Sequence, residues 1–339
     1  MGMGKITISS IAEILNVSPI TVSRALSGQA GVGEELREKI MEKARELGYK
    51  KKKSMDRVSI LFLIKYRYLS NNGNFSHMMR GIERYIKYYG AEFTMELIEE
   101  EKQENFELPY NISTGKRFDG VILLGNFDDN YIPFIQEKIQ NIIVFNRYSY
   151  EVDVDYIYFN FNRTGYKAAK YLIDKGHSEI GFVGVEGLFN NPQRFMGFCK
   201  ALESSHIELK DQYLIHKKEE MEEKVKCLHG EKNMPTAFIC ESDNTALKLI
   251  RLLYDLNVSV PEEVSIIGIG NNTMSNMSIP SLTTFDLNID YACEQAVRLV
   301  LNRIDDQDRP HRTIYIDTFL IERQSVKMLK QEAHRVCNI

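Results

Sequence analysis

Residues 16–28 read NVSPITVSRALSG, and this stretch decides the fold of the N-terminal part of the chain. Ser18 is a favoured helix cap, and Pro19 fits the first position of a helix, where its missing N–H costs nothing. The stretch therefore predicts a helix from Pro19 to about Leu26. Asn16 tolerates a left-handed backbone, so it can end a preceding helix one tight turn earlier.

Two further helices are predicted on either side of this stretch, from about Ile8 to Leu15 and from about Gly33 to Leu47. Two helices joined by a tight turn form a helix-turn-helix, whose second helix can enter the major groove of DNA. The same pattern alone is also compatible with a small structural bundle. Apolar residues at helical spacing predict the core of this unit: Ile11, Ala12, Leu15, Val17, Val22, Leu26, Val32, Ile40, Ala44 and Leu47.

The second helix is predicted to turn Val22 and Ala25 inward, which leaves its other face for DNA. Arg24 can hold guanine O6 and N7 with two donors, whereas Pro19 and Ile20 can only touch thymine methyls or sugar edges. Hydroxyl side chains suit phosphate oxygens. The predicted DNA-contacting residues are Ser18, Pro19, Ile20, Thr21, Ser23, Arg24 and Ser27, with Lys50, Lys51 and Lys52 of the following segment.

Charge separates a basic head from an acidic body. Residues 1–53 carry ten Lys or Arg and six Glu, which gives them a net charge of +4. Because the net charge of the 339-residue chain is −4, the remaining residues have a net charge of −8. This asymmetry suits phosphate contact by the head alone. The composition, 43% hydrophobic and 27% charged, is that of a globular protein, and the length allows two or three domains.

The head resembles the headpiece of the lactose-repressor (LacI/GalR) family. The resemblance is carried by VSxxTVSRxLxG at 17–28 and by ELGY at 46–49. It implies a sequence-specific transcription regulator that reads operator bases with Pro19, Ile20 and Arg24. Relatives cap the third helix with Ser, and this chain has Gly33 at that position.

The linker departs from the family. After Gly-Tyr, relatives carry an Arg-Pro-Asn stretch and a short hinge helix, whose Leu wedges into the minor groove. This chain reads KKKKSMDR over 50–57 and then enters an apolar strand at Val58. We therefore expect no hinge helix and lysines that hold phosphates, so wedge-driven kinking is lost and binding is unusually sensitive to salt. The alternative is a solvated lysine linker that contacts nothing.

From Val58 onward, apolar runs alternate with amphipathic stretches. Repeated strand–helix units predict α/β layers with ligands at the carboxyl ends of the strands. The predicted strands are Val58–Ile64, Gly120–Leu124, Ile142–Phe145, Ile180–Val183, Ala237–Cys240 and Val264–Ile267. The predicted helices include Met78–Tyr89, Gly165–Lys175, Arg194–Ser204 and Asn244–Leu256.

The body also resembles the family, through segments at 119–122, 165–184, 194–198, 261–268 and 280–284 that keep its spacing. The implied fold is an all-α helix-turn-helix headpiece plus an α/β periplasmic-binding-protein-like effector domain. That domain consists of two doubly wound subdomains with a ligand cleft between them.

The resemblance also implies domain boundaries. The headpiece is 1–50, the lysine-rich linker 51–57, the effector and dimerisation domain 58–325 and a C-terminal tail 326–339. The N-subdomain comprises about 58–158 and 286–317, and the C-subdomain about 159–285 and 318–325. The chain is expected to cross between them near Tyr156–Asn160, Phe285–Asn288 and Asp317–Phe319.

Three charged cleft residues of the family are retained. Arg147 keeps the Arg of an Asp-Arg pair, and Asp243 keeps the acid of an Asn-Asp pair. Arg194 keeps the Arg that commonly forks onto ligand hydroxyls or carboxylates.

Other cleft positions differ from the family. Asn146 stands where relatives have the first Asp, and Ser242 where they have Asn. Phe161 and Gly270 replace carboxylates outright. The predicted effector-binding residues are Asn72, Phe75, Asn146, Arg147, Phe161, Arg194, Ser242, Asp243, Gly270 and Asn271.

Carboxylates usually grip vicinal sugar hydroxyls, so their loss suggests an altered, less polar or weakly bound ligand. A sugar or sugar derivative is still the leading interpretation, with the protein a repressor of carbohydrate-utilisation genes. The alternative is a family regulator with a degenerate cleft, controlled by a partner protein or a non-sugar ligand.

The expected partners are a near-palindromic double-stranded operator, a small-molecule effector and a second copy of the chain, since one small head offers few contacts. The tail after Ser325 is too short for a tetramerising coiled coil. No cofactor or metal is expected, because the cysteines and histidines show no ligand spacing. Without an apolar span or secretory segment we expect a cytoplasmic protein. Two other interpretations, a free-standing solute-binding protein and an enzyme on the same scaffold, are rejected in favour of a DNA-binding regulator.

Overall fold

The structure is a computed structural model, and it describes residues 8–27, 32–47, 58–66, 74–185 and 191–329. The chain divides into two compact units, with the boundary between Arg57 and Val58. The predicted linker, the side of the cleft at Asn72 and most of the tail lie outside the described residues.

The described residues of the first unit form three helices, α1 (Ile8–Leu15), α2 (Pro19–Ser27) and α3 (Glu34–Glu46). Asn16 has a left-handed backbone with φ of 52°, as expected for the residue that ends α1. The predicted core is confirmed: its members are buried or half-buried and pack together, with Ala25 as a further buried member.

Sheet A and its helices form the N-subdomain of the second unit. Its strands are β1 (Ser59–Lys65), β2 (Glu92–Ile98), β3 (Gly120–Leu124), β4 (Ile142–Phe145), β5 (Asp155–Phe159) and β11 (Thr313–Ile316). They lie in the order β11-β5-β4-β3-β1-β2, all parallel. The helices are α4 (Phe75–Tyr88), α5 (Glu100–Glu104), α6 (Tyr110–Ser113), α7 (Tyr131–Gln136) and α13 (Ile289–Asp305).

Sheet B and its helices form the C-subdomain. Its strands are β6 (Ile180–Val183), β7 (Leu214–Ile215), β8 (Ala237–Cys240), β9 (Ser265–Gly270), β10 (Thr283–Asp286) and β12 (Phe319–Ile321). The order is β12-β10-β9-β8-β6-β7, with only β12 antiparallel among these strands. The helices are α8 (Phe161–Asp174), α9 (Asn191–Ser204), α10 (Met221–Gly230), α11 (Asp243–Asp255) and α12 (Thr273–Met277).

The six strands predicted from apolar runs are all present, because each is a buried central strand covered by helices. β9 extends three residues beyond its predicted end, through Gly268-Ile269-Gly270. The sequence did not reveal β2, whose residues are largely exposed or half-buried. Edge strands of this kind lack a continuous apolar run.

Over the described residues, the chain passes between the two sheets three times. β5 ends at Phe159 and α8 begins at Phe161; β10 ends at Asp286 and α13 begins at Ile289. β11 and β12 are separated by two residues, Asp317 and Thr318. Residues assigned to a tail continue along the C-subdomain: the backbone N–H of Leu329 donates to the carbonyl of Lys175 at 2.9 Å.

Candidate DNA-reading helix and effector cleft

The start of α2 is fixed by Ser18. Its hydroxyl oxygen accepts a hydrogen bond from the Thr21 backbone N–H at 3.0 Å and lies 2.8 Å from the Thr21 hydroxyl. A side-chain cap of this kind stabilises a helix by about 1 kcal/mol. The two hydroxyls predicted to contact phosphates therefore also hold the first turn of the helix together.

One face of α2 is buried and the other is open. Val22 and Ala25 are buried in the headpiece, whereas Pro19 and Arg24 are exposed. This is the presentation that base contact requires, since a reading side chain must project from the core. The side chains of Ile20, Ser23 and Ser27, and all of Lys50, Lys51 and Lys52, lie outside the described part of the chain.

A direct hydrogen bond joins the two subdomains where the carboxyl ends of their strands meet. The Asn74 side-chain amide donates to the Gly270 carbonyl at 2.7 Å, and both residues are buried. Gly270 has φ of 141°, and a Cβ there would lie 3.2 Å from the Asn74 amide nitrogen. This contact shows that the end of β9 faces the N-subdomain.

Asn74 was absent from the predicted site, which named Asn72 and Phe75 on either side of it. Asn74 is the residue that precedes α4, and Phe75 is the first residue of that helix. An Asn immediately before a helical pattern is a recognisable cap signal. That signal would have identified the position, although not its partner in the other subdomain.

A groove with a volume of about 870 Å³ runs beside this contact. It is bounded by α4 on the N-subdomain side and by the ends of β9 and β10 on the other. Of the predicted effector residues, Gly270 and Asn271 line it.

Asp243 is held from two sides within the C-subdomain. One carboxylate oxygen accepts from the Thr284 hydroxyl at 2.5 Å, and the other accepts from the Asn272 backbone N–H at 2.8 Å. The residue is 1% exposed, and burial raises the pKa of its carboxyl to about 6. Asp243, a predicted ligand residue, therefore links α11 to both β10 and the loop after β9 by hydrogen bonds.

The neighbouring predicted residues also serve the fold. Ser242 caps α11 by accepting from the Thr245 backbone N–H at 3.3 Å. The Asn271 amide donates to Asp286 at 2.6 Å, and its carbonyl oxygen accepts from Arg323 at 2.7 Å. These bonds set the positions of the loops that line the C-subdomain side of the cleft.

Arg147 follows β4 and is buried. Its guanidinium forms an ion pair with Asp129 at 2.7 Å, and the side chain is 3% exposed. Asn146, just before it, has a left-handed backbone with φ of 64° and donates its N–H to the Ile157 carbonyl at 2.8 Å. The pairing with Asp129 was not foreseen, because the two residues come from different loops.

Arg194 and Phe161, predicted separately, form one unit. The centre of the Arg194 guanidinium lies 3.6 Å from the centroid of the Phe161 ring. Arg194 is 8% exposed and Phe161 is 2% exposed. Arg194 lies in the first turn of α9, and Phe161 is the first residue of α8.

Among the described helices, none combines the length and the apolar character needed to cross a membrane. Over the same part of the chain, no group of three or more His, Cys, Asp or Glu is arranged to hold a metal ion.

Two family models match the chain. Residues 7–52 match the bacterial regulatory proteins of the lacI family, and residues 169–326 match the periplasmic binding protein-like domain. ExuR of Bacillus subtilis is 26% identical over 96% of this chain and 99% of its own length. PurR of Mannheimia succiniciproducens is 27% identical over 95% of this chain and 99% of its own length. Both are named as HTH-type transcriptional repressors, and neither is named as an enzyme.

Solved structures share the fold across both units. The lac repressor dimer bound to operator and the anti-inducer ONPF matches with a TM-score of 0.69 at 19% identity, covering 96% of this chain and 100% of that one. The complex of the transcriptional regulator CelR with cellobiose matches with a TM-score of 0.68 at 21% identity, covering 94% of this chain and 99% of that one. The headpiece motif, the two-subdomain body and these relatives agree: the chain combines a DNA-binding domain of the lacI family of bacterial regulatory proteins with a periplasmic binding protein-like domain.

Proposed function

We propose that this protein is a repressor that binds a near-palindromic operator as a homodimer, under the control of a small sugar-like effector. The observation that carries the proposal is the exposed Arg24 on a capped helix whose opposite face is buried. Arg24, Pro19 and Ile20 are the proposed base-contacting residues. The proposed phosphate contacts come from Ser18, Thr21, Ser23, Ser27, Lys50, Lys51 and Lys52.

Large apolar side chains on the second unit support a dimer. Met95 and Leu97 on the edge strand β2 are 40% and 37% exposed, and Tyr254 and Ile279 are 72% and 94% exposed. Exposed apolar surface of this kind often marks a protein interface. We expect a second copy to cover part of it, so that two headpieces match two operator half-sites.

The two-subdomain body supports the proposed control by an effector. A ligand that binds one arrangement of the subdomains more tightly shifts the population toward it, and DNA that prefers one arrangement does the same. The relatives give the chemical precedent: CelR is seen with cellobiose, and the lac repressor with ONPF. Sugar-utilisation genes are the proposed targets.

The test is selection of bound fragments from random DNA by the full-length protein. We expect enrichment of one near-palindromic sequence, and a shift in affinity when cell extract is added. Separating the extract into a small-molecule filtrate and a protein fraction shows whether a small molecule or a protein changes the affinity for DNA. Activity in the filtrate supports an effector, and activity only in the protein fraction supports the partner-protein alternative. Failure to enrich any sequence would refute the proposal.

The four linker lysines, Lys50 to Lys53, provide a second prediction. Each phosphate contact contributes about 0.9 to the slope of log affinity against log salt. Changing all four to Gln should therefore lower that slope by about 3 to 4. Changing Lys39, which is exposed and paired with Glu35 at 2.9 Å, should leave the slope unchanged.

The same hypothesis predicts no sharp kink at the operator centre, because no Leu is available to wedge between base pairs. Gel-phasing of the bound operator measures the bend. A sharp central kink, or an unaltered salt slope in the four-lysine variant, would show that the linker does not act in this way.

A further inference from the structure

One hydrogen bond joins the two subdomains between parts of the chain that are far apart in sequence. The Asn74 side-chain amide donates to the Gly270 carbonyl at 2.7 Å, and the two residues are 196 positions apart. Both residues are buried, and a hydrogen bond is stronger in such surroundings than in water. The bond spans from the start of α4 to the end of β9, so it depends on how the subdomains are arranged.

The donor is fixed to the N-subdomain. Asn74 immediately precedes α4 and forms no side-chain cap hydrogen bond with that helix, although Asn is a favoured cap. One face of α4 is buried, and a Cβ on Gly81 of this helix would lie 2.7 Å from the Cys293 sulfur of α13. Because α4 packs this closely on its neighbour, its first residues move with the N-subdomain.

The acceptor is fixed to the C-subdomain through the two residues that follow it. The Asn271 side-chain oxygen accepts from Arg323 at 2.7 Å, and the Asn271 N–H donates to the Thr284 hydroxyl oxygen at 3.3 Å. The Asn272 N–H donates to the Asp243 carboxylate at 2.8 Å. The loop after β9 is therefore anchored to its own subdomain and cannot follow α4 when the subdomains move apart.

The same loop is tied to the second crossing of the chain, between β10 and α13. The Asn271 amide nitrogen donates to Asp286 at 2.6 Å, and Asp286 also accepts from the Asn288 N–H at 2.6 Å. Asn288, directly before α13, has a left-handed backbone with φ of 55°. Since the subdomains are joined at this crossing, a change in its backbone angles moves α4 relative to the loop after β9.

Glycine at position 270 allows the two subdomains to approach at this point. Its φ of 141° is one that residues with a side chain rarely adopt. A Cβ there would lie 3.2 Å from the Asn74 amide nitrogen and 3.5 Å from a carboxylate oxygen of Asp243. A side chain at this position would therefore press directly on the hydrogen-bond donor.

We propose that the Asn74–Gly270 hydrogen bond is a latch that favours one arrangement of the subdomains without an effector, and thereby sets the operator affinity of the effector-free protein. A bond with both ends fixed must break before the subdomains rearrange. A hydrogen bond of ordinary net strength changes the ratio of two such arrangements about 2- to 10-fold. An effector that binds the other arrangement more tightly has to overcome this preference. The effect on operator affinity rests on the proposed function.

A single tryptophan in the full-length protein can report on the arrangement, because the sequence contains none. Phe319 is 48% exposed and lines the groove beside the latch together with residues of α4, so the reporter is Phe319→Trp. Asn74→Ala removes the donor of the latch, and Gly270→Ala displaces it. Each substitution, added to the reporter protein, should shift the fluorescence emission to longer wavelength, because α4 moves away and the indole becomes more exposed.

Asn130→Ala is the matched control, because Asn130 also precedes a helix, α7, and forms no side-chain cap hydrogen bond there. This control should leave the emission unchanged. Circular dichroism shows whether each variant is folded, and if only one of the two latch variants folds, that variant decides the outcome. Emission equal to that of the control in a folded latch variant would overturn the inference.

Operator affinity is measured on the same substitutions without added effector. Asn74→Ala and Gly270→Ala should change it in the same direction by about 2- to 10-fold, and Asn130→Ala should not change it. If wild-type protein selects an operator but the latch variants bind it with wild-type affinity, the latch does not control DNA binding and the inference fails, while the proposed function stands. If wild-type protein selects no DNA sequence, the proposed function fails, and the emission still tests the latch.

Discussion

Replacing Gly197 with alanine is expected to destabilise the second unit by about 3 kcal/mol, at the upper end of the usual cost of overpacking. The added methyl would lie 1.8 Å from a backbone oxygen of α8 and 2.7 Å from the Tyr166 nitrogen. Backbone atoms cannot rotate away as a side-chain end can, so the two helices must separate. Gly165→Ala is expected to act in the same way from the facing helix.

The measurement is equilibrium unfolding in urea, followed by circular dichroism. Gly230→Ala is the matched control, because a Cβ there meets nothing within 4 Å and Gly230 also lies in a helix. The control should be neutral or slightly stabilising, since alanine favours helix more than glycine. Equal midpoints for Gly197→Ala and Gly230→Ala would show that α8 and α9 are not packed as described.

Replacing Asp155 with asparagine is expected to cost about 3–5 kcal/mol, the usual result of breaking a buried ion pair on one side. Asp155 is fully buried at the start of β5 and receives Arg303 at 2.8 Å and Arg309 at 2.7 Å. The backbone N–H of Arg312 donates to it at 2.7 Å. The substitution leaves two nearly buried guanidinium groups without their counter-ion.

The same unfolding experiment checks this prediction. Glu222→Gln is the control, because it breaks an exposed pair with Lys226 within one helix, and such pairs contribute little. We expect an unchanged midpoint for the control and a strongly lowered one for Asp155→Asn. Similar midpoints for the two variants would mean that the cluster contributes no more than a surface pair.

The sequence predicted what local chemistry determines. Ser18 and Pro19 set the start of α2, and Asn16 has the left-handed backbone expected of it. Central strands such as β3 were predicted to the residue, because a strand buried on both faces needs a continuous apolar run. β2 was not predicted, because its exposed side chains interrupt such a run.

The cleft could be predicted only position by position, because its contacts join distant parts of the chain. The family resemblance pointed to Phe161 and Arg194 separately, but no periodicity connects residues 33 apart into a stacked pair. Asp243 was predicted to be a ligand residue, whereas its hydrogen-bond partners Thr284 and Asn272 became known only from the fold. Hydrogen bonds between separate loops leave no pattern in the sequence.

The central claim is that α2 reads bases through Arg24, and one substitution tests it most directly. The affinity of wild-type and Arg24→Ala protein is measured for the selected operator and for a scrambled fragment at the same salt concentration. Loss of a guanine contact worth about 1–3 kcal/mol should lower operator affinity about 5- to 150-fold, with a much smaller change on scrambled DNA. Lys39→Ala, an exposed cation on α3 of the same headpiece, should leave the ratio of the two affinities unaltered. A preserved operator preference in Arg24→Ala would contradict the account.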